Sequence, residues 1–242
     1  KIPSFGDWIQ WGRTIEKELP TLLDDNPSIP GYISSYVFAG ELFKQLSKGD
    51  VVVTGNGTAY TSTYQAMKVN QGVRVFANQG CAAMGYDLPA AIGAAMANDK
   101  GRTILVTGDG SIQMNIQELE TVKREKLPIK ILVVNNKELG KITEIQHGSY
   151  DDRFCTTNEE SGYTVPDFEK VAIAYGIKAA TLESYHELDK YKEWLEDEEP
   201  CLLNIMLPSL TLLIPKIKWE TCTIKPDLDD DTLNQVKAII GA

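Results

Sequence analysis

The stretch from Thr103 to Gly140, TILVTGDGSIQMNIQELETVKREKLPIKILVVNNKELG, constrains the fold more than any other part of the chain. Thr103 to Thr107 is a β-branched apolar run that stops at Gly108-Asp109-Gly110-Ser111. Ile129 to Val134 is a second such run, and it stops at Asn135-Asn136. Between them Ile112, Ile116, Leu119 and Val122 recur at helical spacing, which predicts a helix over 112–126. Strand, helix and strand in that order predict a βαβ unit with parallel strands and a right-handed crossover. Such sheets collect ligands beyond the carboxyl ends of their strands. Those ends carry Asp109 on one strand and Asn135-Asn136 on the other.

Neighbouring strands about 4.8 Å apart would let an Asp carboxylate and an Asn amide oxygen grip one small cation. That donor pair suits Mg²⁺ or Ca²⁺ and is poor for zinc. Two side chains leave most of an octahedron open, as for Mg²⁺ that also binds phosphates. Gly110 and Ser111 fall where a helix begins, so unpaired N–H groups would face those phosphates. Taken alone, Asp-Gly is usually a turn and Asn-Asn a loop or cap; the joint placement on consecutive strand ends is what points to chemistry. An EF-hand counted from Asp109 fails, because Met114 stands where the sharp turn needs glycine.

The chain has 242 residues, enough for one large α/β domain with an appendage. Its net charge of −10 and the lack of any basic cluster exclude a nucleic-acid surface. Cys81, Cys155, Cys201 and Cys222 show no paired spacing, which predicts reduced thiols and a cytoplasmic protein. No apolar run is long enough for a membrane span and no signal peptide is visible, so no membrane partner is expected. The opening at Lys1 reads as a fragment of a longer protein.

Residues 1–30 read as a helix and linker from a preceding domain, with Phe5, Trp8, Ile9, Trp11 and Ile15 on its apolar side. Residues 31–207 form the main domain. Ser34 or Ser35 caps a helix through Leu46, and Val51-Val52-Val53 is a buried strand. The turn Thr54-Gly55-Asn56-Gly57-Thr58 that follows is neither a dinucleotide fingerprint nor a P-loop, and reads as a tight turn or a second phosphate cradle. Val73 to Phe76 is a further strand. Asp87 is placed as the N-cap of a helix almost without side-chain bulk (Ala90, Ala91, Gly93, Ala94, Ala95, Ala97). His147 to Gly162 is polar and irregular and reads as part of a lid. A helix over 166–175, a strand over 177–180, a helix over 186–195 and a strand over 201–206 complete the domain. Residues 208–242 form a tail with a closing helix capped by Asp229-Asp230-Asp231. Five or six strands alternating with helices predict an α/β doubly wound parallel sheet with helices on both faces. His147 and His186 lie in no nucleophile motif, so no catalytic triad is assigned.

Gly108-Asp109-Gly110, 24 residues and then Asn135-Asn136 closely resembles the diphosphate-binding motif of thiamine diphosphate-dependent enzymes. The segment AAMGYDLPAAIGAAMA (Ala82 to Ala97) is similar to one in their acetolactate synthase-like branch, whose phosphate-binding (PP) domain comes last in the polypeptide. The resemblance covers Tyr32 to Leu207 and implies the thiamine diphosphate-binding fold. It implies that Met84 props the cofactor in a bent shape and that the Ala82 carbonyl accepts from its aminopyrimidine. It also implies Mg²⁺ on Asp109, Asn136 and the main-chain carbonyl of Glu138. Gly57, Thr58, Ala59, Gly108, Gly110, Ser111, Leu139 and Gly140 would line the diphosphate. The implied reaction is decarboxylation or carboligation of a 2-oxo acid. No catalytic residue lies in this chain, because the family's catalytic glutamate sits on a pyrimidine-binding domain of a partner subunit. A homodimer or tetramer is therefore expected, with FAD possible on a further domain outside the chain. On the substrate side stand Lys141, Ile145 and His147. Lys141 and Ile145 replace the methionine and tryptophan of acetolactate synthases, and a cationic Lys141 suggests a more polar or anionic acceptor. The alternative is a non-catalytic α/β interaction or regulatory module that keeps the fold.

Overall fold

The computed structural model of the chain describes residues 5–18, 31–99 and 101–213, with isolated positions between 216 and 238. It comprises two compact units, one of Asn26–Leu212 and one of Lys1–Asp25 with Leu213–Ala242. In the second unit helix α1 (Gly6–Glu18) stacks Trp8 on Trp11 with ring centroids 4.9 Å apart. Lys216–Ile217 pairs antiparallel with Ile224–Lys225, and Asp230 and Asp231 are helical. The linker expected over 19–30, Cys222 and Asp229 lie outside the described residues.

The larger unit begins with α2 (Ser35–Lys44), whose cap is Ser34: its hydroxyl accepts the Val37 N–H, while Ser35 is buried in the first turn. There follow β1 (Val51–Thr54), α3 (Gly57–Ala66), β2 (Arg74–Ala77), α4 (Asp87–Ala97), β3 (Thr103–Gly108), α5 (Asp109–Gln113), α6 (Leu119–Arg124) and β4 (Ile129–Asn135). Then come α7 (Gly140–Ser149), α8 (Phe168–Ala174), β5 (Lys178–Leu182), α9 (Lys192–Glu196) and β6 (Cys201–Met206).

The six strands form one all-parallel sheet in the order β2-β1-β3-β4-β6-β5. The apolar runs are continuous because both faces are covered. Val52, Ile104, Val106, Leu132 and Val134 point to one face, where they meet Phe38 and Leu42 of α2, Ala59 of α3 and Leu195 of α9. Val53, Leu105, Ile131 and Val133 point to the other, against Leu88 of α4, Ile112 of α5, Val122 of α6 and Phe168 of α8. The side taken by each helix follows from the direction of its crossover. Steps toward β5 (β2 to β3, β3 to β4, β4 to β5) put their helices on one face, and steps the other way (β1 to β2, β5 to β6) put theirs on the opposite face. One constant handedness requires that division.

Several details differ from the sequence reading, and the segment read as irregular from His147 is still helical through Ser149. The helix over 112–126 is broken into α5, a 3₁₀ turn at Ile116–Glu118 and α6. Asn115, at φ −138° and ψ 34°, leaves the helical path to donate its side-chain amide to the Gly85 carbonyl at 2.7 Å. Asp87 is the first residue of α4 and not its cap; its carboxylate is fully buried and accepts the Thr107 hydroxyl. The helix over 186–195 is 3₁₀ from Tyr185 to Tyr191 and α only in α9. Glu187 bends back onto the N–H groups of Glu183 and Ser184 (2.9 and 3.2 Å), which tightens that first turn. Finally, Ile177 closes α8 by donating to the Ala172 carbonyl, so β5 starts one residue later.

Candidate functional site

The chain leaves β1 toward β2 and comes back on the other side of β1 to form β3, so the order reverses between β1 and β3. Helices diverge from a sheet at such a point and leave a crevice beyond the strand ends. Here it is a cleft of about 330 Å³. Gly57, Thr58 and Ala59 reach it from the end of β1, and Gly108, Asp109, Gly110 and Ser111 from the end of β3. Asn136, Glu138, Leu139, Gly140 and Lys141 reach it from the end of β4, with Ala82 and Met84 from the loop before α4. Ile145 and His147 are not in its wall: Ile145 is half exposed, and His147 Nδ1 lies 2.5 Å from Asp152 Oδ1. A larger depression of about 550 Å³ along β2 and α4 has no lining residue with a buried, partnerless polar side-chain atom among the described residues. Size alone therefore does not mark the site.

Three helices, α3, α5 and α7, begin at the cleft, and none receives a side-chain hydrogen bond from its N-cap residue. Apart from that of Gly110, which turns to the Asp109 carboxylate, their first N–H groups are left for something else to satisfy, and an anion does so well. Thr58 Oγ1 and Asn136 Nδ2 are buried without a partner. Buried polar atoms are rarely left so, because desolvation without a replacement bond costs about 1–3 kcal/mol. The two asparagines divide their work: Asn135 donates across to Asn204 Oδ1 at 3.0 Å and accepts the Lys137 N–H, while Asn136 turns to the cleft. Rotating the Asn136 amide exchanges its oxygen and nitrogen, so either atom can face a ligand.

Asp109 is almost fully buried. Its Oδ2 accepts the Lys137 N–H at 2.8 Å and its Oδ1 the Tyr163 hydroxyl at 3.0 Å. Burial pushes its pKa up to about 6, against the pull of Tyr163 and the N–H groups of Lys137, Gly110 and Glu138. Burial also raises Glu138, whose carboxylate accepts the Leu210 N–H at 2.8 Å. Ala82, held at φ 49°, presents its carbonyl to Asn56 Nδ2 at 2.8 Å. Two glycines are fixed by close approach: a Cβ on Gly140 would sit 2.5 Å from Asn136 Nδ2, and one on Gly110 2.7 Å from the Tyr163 hydroxyl.

Residues 55–205 match the family described as thiamine pyrophosphate enzyme, C-terminal TPP binding domain. The chain belongs to that family. It is 35% identical over 219 residues to the mitochondrial acetolactate synthase of Schizosaccharomyces pombe, covering 86% of this chain and 31% of the relative. The acetolactate synthase large subunit of Cyanidium caldarium is 36% identical over 154 residues, covering 63% of this chain and 26% of the relative. In fold it is similar to a thiamine diphosphate-dependent 4-hydroxybenzoylformate decarboxylase from Rhodococcus jostii RHA1, with a TM-score of 0.68, 18% identity and coverage of 79% of this chain and 36% of that one. The chain thus spans about a third of the length of the relatives it matches.

As a thiamine diphosphate-binding domain, the chain has residues that fit a diphosphate carried with a divalent ion. Open helix starts and an unpaired Thr58 hydroxyl can donate to phosphate oxygens. Asp109 and an Asn136 amide oxygen are hard donors on neighbouring strand ends. Among the described residues no group of three or more His, Cys, Asp or Glu side chains could hold a metal. No helix among them is long and apolar enough to cross a membrane. Sequence reasoning missed Tyr163 and Asn56. Tyr163 lies 54 residues from its partner and has no signature; the amide of Asn56 lay inside a turn read only for its backbone.

Proposed function

We propose that this chain supplies the diphosphate- and Mg²⁺-holding half of an enzyme that decarboxylates or ligates 2-oxo acids, as acetolactate synthases and related decarboxylases do. The observation that carries it is the pair of partnerless buried atoms, Thr58 Oγ1 and Asn136 Nδ2, beside buried Asp109 in the switch-point cleft. Asp109, Asn136 and the Glu138 carbonyl would hold Mg²⁺, and the first N–H groups of α3, α5 and α7 would take the diphosphate. Met84, 36% exposed at the cleft, would support the rest of the cofactor. When bound, thiamine diphosphate would supply a nucleophilic carbon and an electron sink for decarboxylation of a 2-oxo acid. The residues of this chain bind, orient and neutralise. A second domain, on a partner subunit of a dimer or tetramer, would supply the glutamate that activates the cofactor.

Among the described residues Lys141 is the only cation in the cleft wall, and its ammonium lies 2.6 Å from Glu144. A carboxylated acceptor would compete with Glu144 for that charge, which fits a more anionic second substrate than pyruvate. The test of the main reading is calorimetry of thiamine diphosphate binding with and without Mg²⁺. Binding should need the ion and should vanish in Asp109→Ala. Ion-independent binding, or none with the partner domain present, would favour a non-catalytic module.

A further inference from the structure

Tyr163 lies on a segment without helix or strand, 150–167, that is tied to the cleft at two points. The Thr157 carbonyl accepts the Leu139 N–H at 2.8 Å and the Thr143 hydroxyl at 3.3 Å, and Thr157 Oγ1 donates to Gln146 at 2.8 Å. Six residues on, the Tyr163 hydroxyl donates to Asp109 Oδ1 at 3.0 Å. The sequence suggested a lid here; these bonds make it a strap fastened to the loops at the ends of β3 and β4.

We propose that Tyr163 is a positioning residue that fixes the plane of the Asp109 carboxylate and thereby sets the affinity of the cleft for a divalent ion. The inference rests on the reading that Asp109 is an ion ligand. A carboxylate on a short side chain rotates freely about its last bond unless both oxygens are held. Oδ2 is held by the Lys137 N–H, on the chain that carries Asn136, and Oδ1 by the Tyr163 hydroxyl, alone among side chains of the described residues, while the Gly110 and Glu138 N–H groups also pull on the carboxylate. Each oxygen keeps a lone pair after accepting one hydrogen bond, so the anchored carboxylate can still ligate. Gly110 fits the same arrangement, because a Cβ there would meet this hydroxyl at 2.7 Å. Partners of this kind behind a metal ligand change affinity by about 10–100-fold when removed.

The experiment uses the intact protein and its Tyr163→Phe variant, with Mg²⁺ titrated at fixed thiamine diphosphate by calorimetry and Mn²⁺ followed by electron paramagnetic resonance. Tyr163→Phe should raise the half-saturating Mg²⁺ about tenfold and change the bound-Mn²⁺ spectrum. Thiamine diphosphate affinity at saturating Mg²⁺ should stay as in the parent, and the melting temperature without ligand should fall by no more than a few degrees. A parent that needs Mg²⁺ and a variant that binds it equally well would overturn the role of Tyr163 while leaving the ion site intact. A parent indifferent to Mg²⁺ would overturn both. Loss of diphosphate affinity at saturating ion, or a melting temperature lowered by more than about 10 °C, would make Tyr163 a structural strap residue and overturn the proposal as well.

Discussion

At the amino ends of the strands, Arg102 lays its guanidinium along both oxygens of Asp50 and reaches the Gln45 and Leu195 carbonyls. Lys130, wholly buried, meets Asp197 at 2.9 Å, and Lys178 holds the other oxygen of the same carboxylate. At the carboxyl ends of the same sheet, Thr54 Oγ1, Thr58 Oγ1 and Asn136 Nδ2 are buried with no partner, and the Asp109 carboxyl titrates near 6. One end has its charges matched within the chain; the other keeps buried polar atoms without a partner among the described residues. A sheet whose core is equally well packed on both faces can afford that asymmetry, and the incomplete end is where a ligand adds most.

The contrast can be broken most forcefully at Gly140. A methyl there would press on Asn136 and Thr58, so Gly140→Ala should weaken thiamine diphosphate binding about 100-fold. Calorimetry measures this, and affinity kept within threefold would mean the open end is not the ligand end. Next comes the same exchange, acid to amide, made at both ends. Asp197→Asn leaves the buried Lys130 without a counter-charge and should cost about 2 kcal/mol in urea unfolding, a low figure for such a pair because Asp197 is partly solvated. Asp109→Asn should stabilise the ligand-free chain by about 1 kcal/mol, since burial disfavours the charge it removes. Equal signs for the two substitutions would erase the comparison.

Acidity sharpens it further. The raised pKa of Asp109 means its contribution to stability is fully present below about pH 4 and is lost as pH rises through about 6. At Asp197 burial pushes the carboxyl up, but the hydrogen bonds and charges of Lys178 and Lys130 outweigh it and leave the group below its usual range. Its contribution is therefore present above about pH 4 and lost as pH falls through its lowered pKa. Parent and Asp109→Asn should differ in unfolding midpoint at pH 7 and converge by pH 4, with no ion present; a difference constant with pH would refute the assignment. The smallest effect belongs to Thr58→Val. Removing a partnerless hydroxyl should stabilise the free chain by about 1 kcal/mol while weakening diphosphate binding.

The matched end was the harder one to read from sequence. Ile129 to Val134 read as a plain apolar strand, and nothing in the string told that Lys130 would be paired with a carboxylate 67 residues away. The carboxyl end was legible because strand periodicity, a stop at glycine or asparagine, and helix phase are all local signals. They placed Asp109 and Asn136 on adjacent strands, and the register of β3 with β4 brings Gly108 opposite Val134. The parts that escaped depend on side chains meeting across long stretches: Asn115 on Gly85, which breaks the helix after β3; Asp87 on Thr107, which made a buried acceptor look like a cap; and Tyr163 on Asp109. Hydrogen bonds of that range leave no periodic trace, and sequence rules see only the local alternative for the same residue.

Asn135 and Asn136 carry identical side chains, yet one stitches β4 to Asn204 and the next faces the cleft. A deletion of one residue within β4 (Ile129–Asn135) would bring Asn136 into the stitching place and leave Lys137 aimed at the cavity. An insertion would do the reverse, turning Asn135 outward and setting a valine against the neighbouring strand. Selection on this stretch is thus expected to tolerate many exchanges of letters and almost no change in their number.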